Sequence, residues 1–130
     1  MAVSIGDGRV LLAGGVLGES PASTRVVDVR CMASCEATPL AVDALGFAYG
    51  WAGLTRTSEV LFVGDDRTGS ETIVRRMGGL DATPYLAEVA LREPRVGAAA
   101  VALFDRTVAV VGGRKTQGSG VPSVEVYIPE

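Results

Sequence analysis

The chain has 130 residues, the size of one ordinary domain, and its 48% hydrophobic content and mean hydropathy of +0.32 exclude a disordered chain. Its 12 basic and 15 acidic residues give a net charge of −3 and form no basic run, so nothing indicates nucleic acid as a partner. There are 17 glycines and no histidine. This favours short strands joined by tight turns, and it excludes histidine-based catalysis and imidazole metal sites within the chain.

The amino-terminal residues 1–9 have no cationic segment ahead of an apolar stretch, so they do not resemble a signal peptide. The most apolar stretch, residues 40–54, contains Asp43 and three glycines and is too short to span a bilayer. We therefore expect no membrane partner, and either a cytoplasmic protein or a piece of a longer exported one.

In chain order, the first feature is an apolar run that recurs twice. The three copies are RVLLAGG at 9–15, EVLFVGD at 59–65 and TVAVVGG at 107–113. Val10, Val60 and Val108 hold the same place in them, so the spacings are 50 and 48 residues. Each run predicts a strand that stops at its closing glycines, because glycine tolerates sharp turns and the close approach of a neighbouring sheet.

Three further predicted strands accompany these runs. One precedes each run, at 2–5, 47–54 and 98–104, and one follows it after a polar loop, at 24–29, 71–75 and 123–128. A fourth is predicted at 36–45 (EATPLAVDAL) and 81–91 (DATPYLAEVAL), two segments that align with one inserted residue. We name the strands of each unit a, b, c and d, with the glycine-ended run as b. The third unit lacks strand d.

This pattern resembles the kelch repeat family, whose four-stranded propeller blades recur at about 50 residues. The pairs Gly14-Gly15 and Gly112-Gly113 are similar to the double glycine that ends the second strand of a kelch blade. VEVYIP at 124–129, with Tyr127, resembles the next strand, and Arg95-Val96-Gly97 resembles the entry to the following inner strand. The second unit departs from the family, since Gly64 is followed by aspartate.

The resemblance implies an all-β fold of about three kelch-like propeller blades, covering approximately 1–45, 46–92 and 93–130 within a single domain. It also implies a structural role for six residues: Gly14, Gly15, Gly64, Gly112, Gly113 and Tyr127. Propellers close with about four to eight blades, so this set forms an incomplete ring with uncovered end faces. We expect a homodimer or a partner chain to complete it, and two copies would give six blades.

The candidate binding residues follow from the strand order. Antiparallel strands place the b–c and d–a connections on one face of the blades, and variable loops on a rigid frame are where proteins commonly bind ligands. The residues selected there are Asp66, Arg67, Arg92, Arg95, Arg114 and Lys115. Asp65-Asp66 is compatible with a paired-acid or calcium site or with a simple polar turn. Arg114-Lys115 is compatible with an anion site or with a solvated loop.

The cysteines Cys31 and Cys35 are compatible with a loop disulfide or with two ordinary thiols, and they lack the further ligands that a metal site needs. No phosphate-binding loop occurs, and we expect no cofactor.

The sequence thus favours a noncatalytic propeller scaffold that binds a protein or a glycan. The alternative is part of a propeller enzyme (a lyase, hydrolase or sugar isomerase) completed by another chain or segment. Carboxylates, arginines and tyrosines converging at the central channel would favour the enzyme, and alanine and valine there would favour the scaffold.

Overall fold

The computed structural model describes residues 1–14, 16–17, 20–21, 23–42 and 47–130, and within them all regular structure is β. Eleven strands form three antiparallel sheets, and two very short strands form a separate hairpin. The described residues contain no helix, and therefore none that could cross a membrane. The prediction of an incomplete, propeller-like all-β fold is confirmed.

Each sheet is built from strands that follow one another along the chain. The first contains β1 (Ala2–Gly6), β2 (Arg9–Leu12), β5 (Arg25–Asp28) and β6 (Ala37–Pro39), with the hairpin β3 (Val16–Leu17) and β4 (Ser20–Pro21) between β2 and β5. The second contains β7 (Phe47–Leu54), β8 (Val60–Asp66), β9 (Thr72–Gly78) and β10 (Tyr85–Val89). The third contains β11 (Ala99–Ala102), β12 (Val108–Val111) and β13 (Val124–Tyr127), and it has three strands, as the sequence predicted.

The first strands of the three sheets lie side by side, since β7 contacts both β1 and β11. The sheets therefore share an inner edge and fan out from it, as propeller blades do. Strand order within a sheet thus corresponds to distance from this inner edge.

The middle sheet is packed on both faces, and β8 shows how. Val60 and Phe62 belong to a buried cluster shared with Leu11 of the first sheet. The alternate residues of β8, Leu61 and Val63, belong to a second buried cluster shared with the third sheet. Because side chains alternate across a strand, a run of apolar residues supplies both clusters at once.

The turns that lead into the three b strands have one backbone feature in common. The residue two positions before the first valine has a positive φ in every unit, 69° at Gly8 and 61° at both Ser58 and Arg106. The left-handed conformation disfavours residues with a β-carbon, yet Ser58 and Arg106 adopt it. The three units therefore share the backbone conformation of this turn, although only the first has glycine at the position.

The glycine pairs end their strands in the first and third units only. Strand β2 stops at Leu12 and β12 at Val111, and Gly14, Gly112 and Gly113 have φ values of 75°, 68° and 89°. Gly15 lies outside the described residues. In the second unit the prediction was wrong, because β8 continues through Gly64 to Asp66 while pairing with β7 and β9.

The similar sequences of the two d segments, 36–45 and 81–91, do not occupy equivalent positions in their sheets. In the first sheet Ala37–Pro39 form the strand itself, with Thr38 opposite Val26. In the second sheet, residues 82–84 precede β10, and Ala87 takes the place opposite Arg76. Part of the predicted strand 36–45 lies outside the described residues.

We expect substitutions at the third glycine pair to separate local crowding from backbone strain. A β-carbon on Gly113 would lie 2.9 Å from the Val96 carbonyl oxygen, at a φ of 89°. One on Gly112 would meet nothing within 4 Å but would sit at a φ of 68°. Gly113→Ala should therefore cost more than about 1 kcal/mol of unfolding free energy, and Gly112→Ala about 1 kcal/mol.

Urea denaturation measures both losses. Gly120→Ala is the control, because its β-carbon would enter open space and its φ is not positive. Equal and small losses at all three glycines would contradict this account of how β12 ends.

Candidate functional site

The b–c loops of the second and third sheets and the d–a connection between them meet on one face, as the strand order predicted. The backbone N–H of Gly97 donates to Asp65 Oδ1 at 2.9 Å, and the N–H of Thr72 donates to the Arg95 carbonyl oxygen at 2.6 Å. Val96 and Arg114 exchange backbone hydrogen bonds of 2.8 and 2.9 Å. We call this surface the loop face and define it by residues 65–72, 92–97 and 112–123.

Arg95 is the centre of the loop face, and its side chain is completely buried. Its Nε donates to the Glu93 carbonyl oxygen at 3.2 Å. Its Nη1 donates to the carbonyl oxygens of Gly112 (3.1 Å) and Ser123 (2.9 Å). Its Nη2 donates to Ser123 Oγ (2.8 Å) and Glu125 Oε1 (2.7 Å). A guanidinium has five N–H donors, so all of those of Arg95 are used within the fold.

The carboxylates of Glu125 and Glu93 complete the hydrogen-bonded network around Arg95, which we call the junction. Glu125 Oε2 also accepts the backbone N–H of Arg92 at 2.7 Å. Burial alone would raise the pKa of Glu125, but hydrogen bonds from the backbone and from Arg95 outweigh it and lower the pKa. Glu93 accepts from Ser123 Oγ at 2.7 Å and pairs with Lys115 Nζ at 3.0 Å, and these contacts lower its pKa. Lys115 therefore has an internal partner.

Asp66 organises its own loop. Its carboxylate accepts from Thr68 Oγ1 at 2.7 Å, and from the backbone N–H and Oγ of Ser70 at 2.7 and 2.8 Å. The hydrogen bond from Thr68 is the largest of the effects that lower the pKa of Asp66 to about 2. The Asp65 carboxylate accepts hydrogen bonds from the backbone N–H of Gly97 and from Thr72 Oγ1, the latter at 2.7 Å. Both aspartates thus serve the turn and the junction between the second and third sheets.

The remaining predicted residues, Arg67, Arg92 and Arg114, have exposed side chains on the loop face. The structure brings Arg92, Arg114 and Lys115 around the junction of Arg95, while Arg67 lies in the neighbouring loop after β8. The loop face therefore presents cations on a frame that Arg95 holds together.

The inner strands line a mainly apolar pocket of about 430 Å³ that is open to the surface near the loop face. It lies between β7, β8 and β11, and its lining includes Trp51, Val63, Gly97 and the alanines 98–100, with Asp65 as the charged member.

A larger cavity of about 560 Å³ opens on the opposite face, where the a–b and c–d connections lie. In it Glu59 Oε1 accepts from Tyr85 Oη at 2.7 Å and pairs with Arg76 Nη1 at 3.3 Å. These contacts raise the pKa of both Tyr85 and Arg76. Arg9 pairs with Asp81 at 2.6 Å across the first two sheets.

Sequence reasoning missed this cluster, because Glu59, Arg76 and Tyr85 become neighbours only through the strand register. The pairings of Leu61 with Arg76 and of Gly78 with Tyr85 bring the three side chains to one end of the sheet. Only the register of the b–c and c–d strand pairs, which the sequence did not supply, would have found them.

One face of the third sheet packs against no other described sheet, and we call it the open face. Cross-strand pairing places six residues on it, all alanine or valine: Ala99, Val101, Ala109, Val111, Val124 and Val126. The valines at 101, 124 and 126 are 49–53% exposed. The opposite face of the same sheet, with Val108 and Val110, is buried against the second sheet.

Cys31 and Cys35 form a disulfide in the exposed loop between β5 and β6, with their Cα atoms 5.6 Å apart. Among the described residues, no group of three or more metal-ligating side chains comes together. In comparisons with known proteins, no family model and no curated sequence matches the chain.

We expect Arg95 to carry much of the stability of the third sheet. Arg95→Met leaves Glu125 without its cation and several buried carbonyl groups without a donor, so the expected loss of unfolding free energy is roughly 3–5 kcal/mol. Arg95→Lys keeps the charge but not the five donors and should fall between Arg95→Met and the wild type. Arg92→Met, at an exposed side chain, is the matched control and should be near neutral. Urea denaturation gives the order, and similar losses in all three variants would contradict it.

We expect the pKa of Asp66 to depend on its turn. In the folded chain it is about 2, below its ordinary value of 3.8, so the stability that the ionised carboxylate gives the turn is fully present above pH 3.8 and is lost as the pH falls through 2. Thr68→Val should raise this pKa by removing its largest cause, whereas Thr83→Val, in an exposed loop, should not. A carboxyl-carbon NMR titration measures it, and an unchanged pKa in Thr68→Val would refute the assignment.

Proposed function

We propose that the chain is a noncatalytic, kelch-type propeller scaffold that binds a protein or a glycan through the loop face. The observation that carries this proposal is the construction of the loop face itself. A fully buried Arg95 with all donors satisfied fixes the junction, while Arg92 and Arg114 extend from it into solvent. Exposed side chains on a rigid frame are suited to recognition, because little conformational entropy of the backbone is lost on binding.

The residues at the inner edge also support a scaffold. A propeller enzyme would be expected to gather its acids, bases and tyrosines where the inner strands meet. The cavity at β7, β8 and β11 is instead lined mainly by glycine, alanine, valine and Trp51. The charged cluster of Glu59, Arg76 and Tyr85 involves strands β8, β9 and β10, farther from the inner edge.

The scaffold requires further sheets to complete its ring. The open face consists of alanine and valine, and its four valines are 39–53% exposed. A contiguous apolar surface of this kind marks an interface in soluble proteins. Self-association or a partner chain would supply the cover.

A second candidate rests on the cavity at the opposite face. Glu59 accepts a hydrogen bond from Tyr85 and forms an ion pair with Arg76. A glutamate, a tyrosine and an arginine could form part of the active site of a lyase, hydrolase or sugar isomerase. Turnover of a glycoside or sugar panel that is abolished by Glu59→Gln would favour this enzyme over the scaffold.

The scaffold is tested on glycan and peptide arrays with the wild-type chain and the double variant Arg92→Ala/Arg114→Ala. We expect binding by the wild type and a loss of affinity of at least about tenfold in the double variant, equivalent to about 1.4 kcal/mol. Arg30→Ala is the control, since Arg30 is exposed on the opposite face, beside Gly8. No binding to either array, or binding that survives the double variant, would reject the loop face as the site.

A further inference from the structure

The two buried clusters between sheets are built in the same way. In the first, Leu11 and Ala13, from β2 and the residue after it, pack with Val60 and Phe62 of β8. In the second, Leu61 and Val63 of β8 pack with Val108 and Val110 of β12. Each contact thus joins one face of a b strand to the opposite face of the next b strand along the chain.

This alternation leaves one b-strand face without a partner sheet at each end of the three sheets, and we call each such face a half-contact. On β12, Ala109 and Val111 hold the places that Leu61 and Val63 hold on β8, and they lie on the open face. On β2, Val10 and Leu12 hold the places of Val60 and Phe62 and point away from the second sheet. Leu12 is 38% exposed and Val111 39%. The chain therefore carries both complementary halves of a third contact of the same type.

We propose that a second copy of this chain covers the open face with the outer face of its first sheet. That outer face consists of alternate residues of β1, β2 and β5, namely Ala2, Ser4, Val10, Leu12, Arg25 and Val27. The pairing is head to tail, continues the geometry of the two existing contacts, and rests on the proposed propeller scaffold. Two copies related by a twofold axis each give one half and receive the other, which closes a ring of six sheets.

The composition of the two surfaces favours this occupant. The open face has no charged or polar side chain, so a partner must present an apolar sheet or helix face to it. The outer face of the first sheet is mainly apolar, and Arg25 already has a hydrogen bond from its Nε to Ser23 Oγ at 3.0 Å. Pairing two open faces with each other would leave both first sheets uncovered. The head-to-tail arrangement covers every sheet face.

Light scattering of the purified chain over a wide concentration range tests the pairing. We expect twice the chain mass of 13.4 kDa for the wild type. Val126→Glu, on the open face, and Leu12→Glu, on the first sheet, should each weaken the dimer by at least about 100-fold, because each introduces a carboxylate into a mainly apolar contact. Met32→Glu is the matched control: Met32 is fully exposed in the disulfide loop, so the dimer should persist. Circular dichroism establishes that each variant is folded.

Mixing the two disruptive variants identifies the orientation. Chains with Val126→Glu and chains with Leu12→Glu, each monomeric alone, should form a 1:1 pair when combined, because one of the two contacts in a head-to-tail ring then remains free of substitutions. A dimer broken by Val126→Glu but unaffected by Leu12→Glu would overturn the head-to-tail pairing. A wild-type monomer at all concentrations, or filaments that grow with concentration, would overturn the two-copy ring.

These outcomes are separable from those of the proposed function. A monomer that still binds its ligand through Arg92 and Arg114 would overturn the pairing and leave the binding role of the loop face intact. A closed dimer that binds nothing on either array would do the reverse.

Discussion

Each sheet of this chain has apolar side chains on both faces, and such a sheet must be covered twice. Strand β8 meets the requirement inside the chain, since Val60 and Phe62 pack on the first sheet while Leu61 and Val63 pack on the third. Within the part of the chain that the structure describes, the first and third sheets pack against one neighbouring sheet each. The hydrophobic effect that assembles the three sheets also acts on their outer faces, and the pairing proposed above rests on the same force as the fold.

Much of the fold could be predicted from the sequence because the repeat expresses local requirements. Apolar runs at spacings of 50 and 48 residues located the b strands, and polar and glycine-rich segments located the turns. Where two units differ, local reasoning was less successful. Gly64 was expected to end its strand, but β8 continues because the strand keeps its partners on both sides. Similarly, the two Ala-Thr-Pro segments, at 37–39 and 82–84, take different places relative to their sheets, because pairing with strand c decides the register.

The candidate site could be predicted only in part from the sequence, because the sequence does not show whether a charged side chain is buried. Arg95 was chosen as a ligand-binding residue from its place in a connection between strands. In the structure it is buried, and its environment is made of backbone carbonyls and carboxylates that come from up to 30 residues away. Glu59 and Arg76 were not selected, because their proximity depends on register across β8 and β9. Contacts of this kind become visible only when strand pairing is known.

The last strand of the third sheet also bears on how readily the chain would aggregate. Within the described residues β13 has no neighbour beyond it, so its outer N–H and C=O groups could pair with any extended peptide. It is only four residues long and lies between Pro122 and Pro129, which lack an N–H and interrupt a hydrogen-bonded ladder. An incoming strand would therefore gain few backbone hydrogen bonds before pairing is interrupted. Short length and flanking prolines thus protect this edge against amyloid-like addition of strands, while the valine surface beside it stays open to a partner that fits its shape.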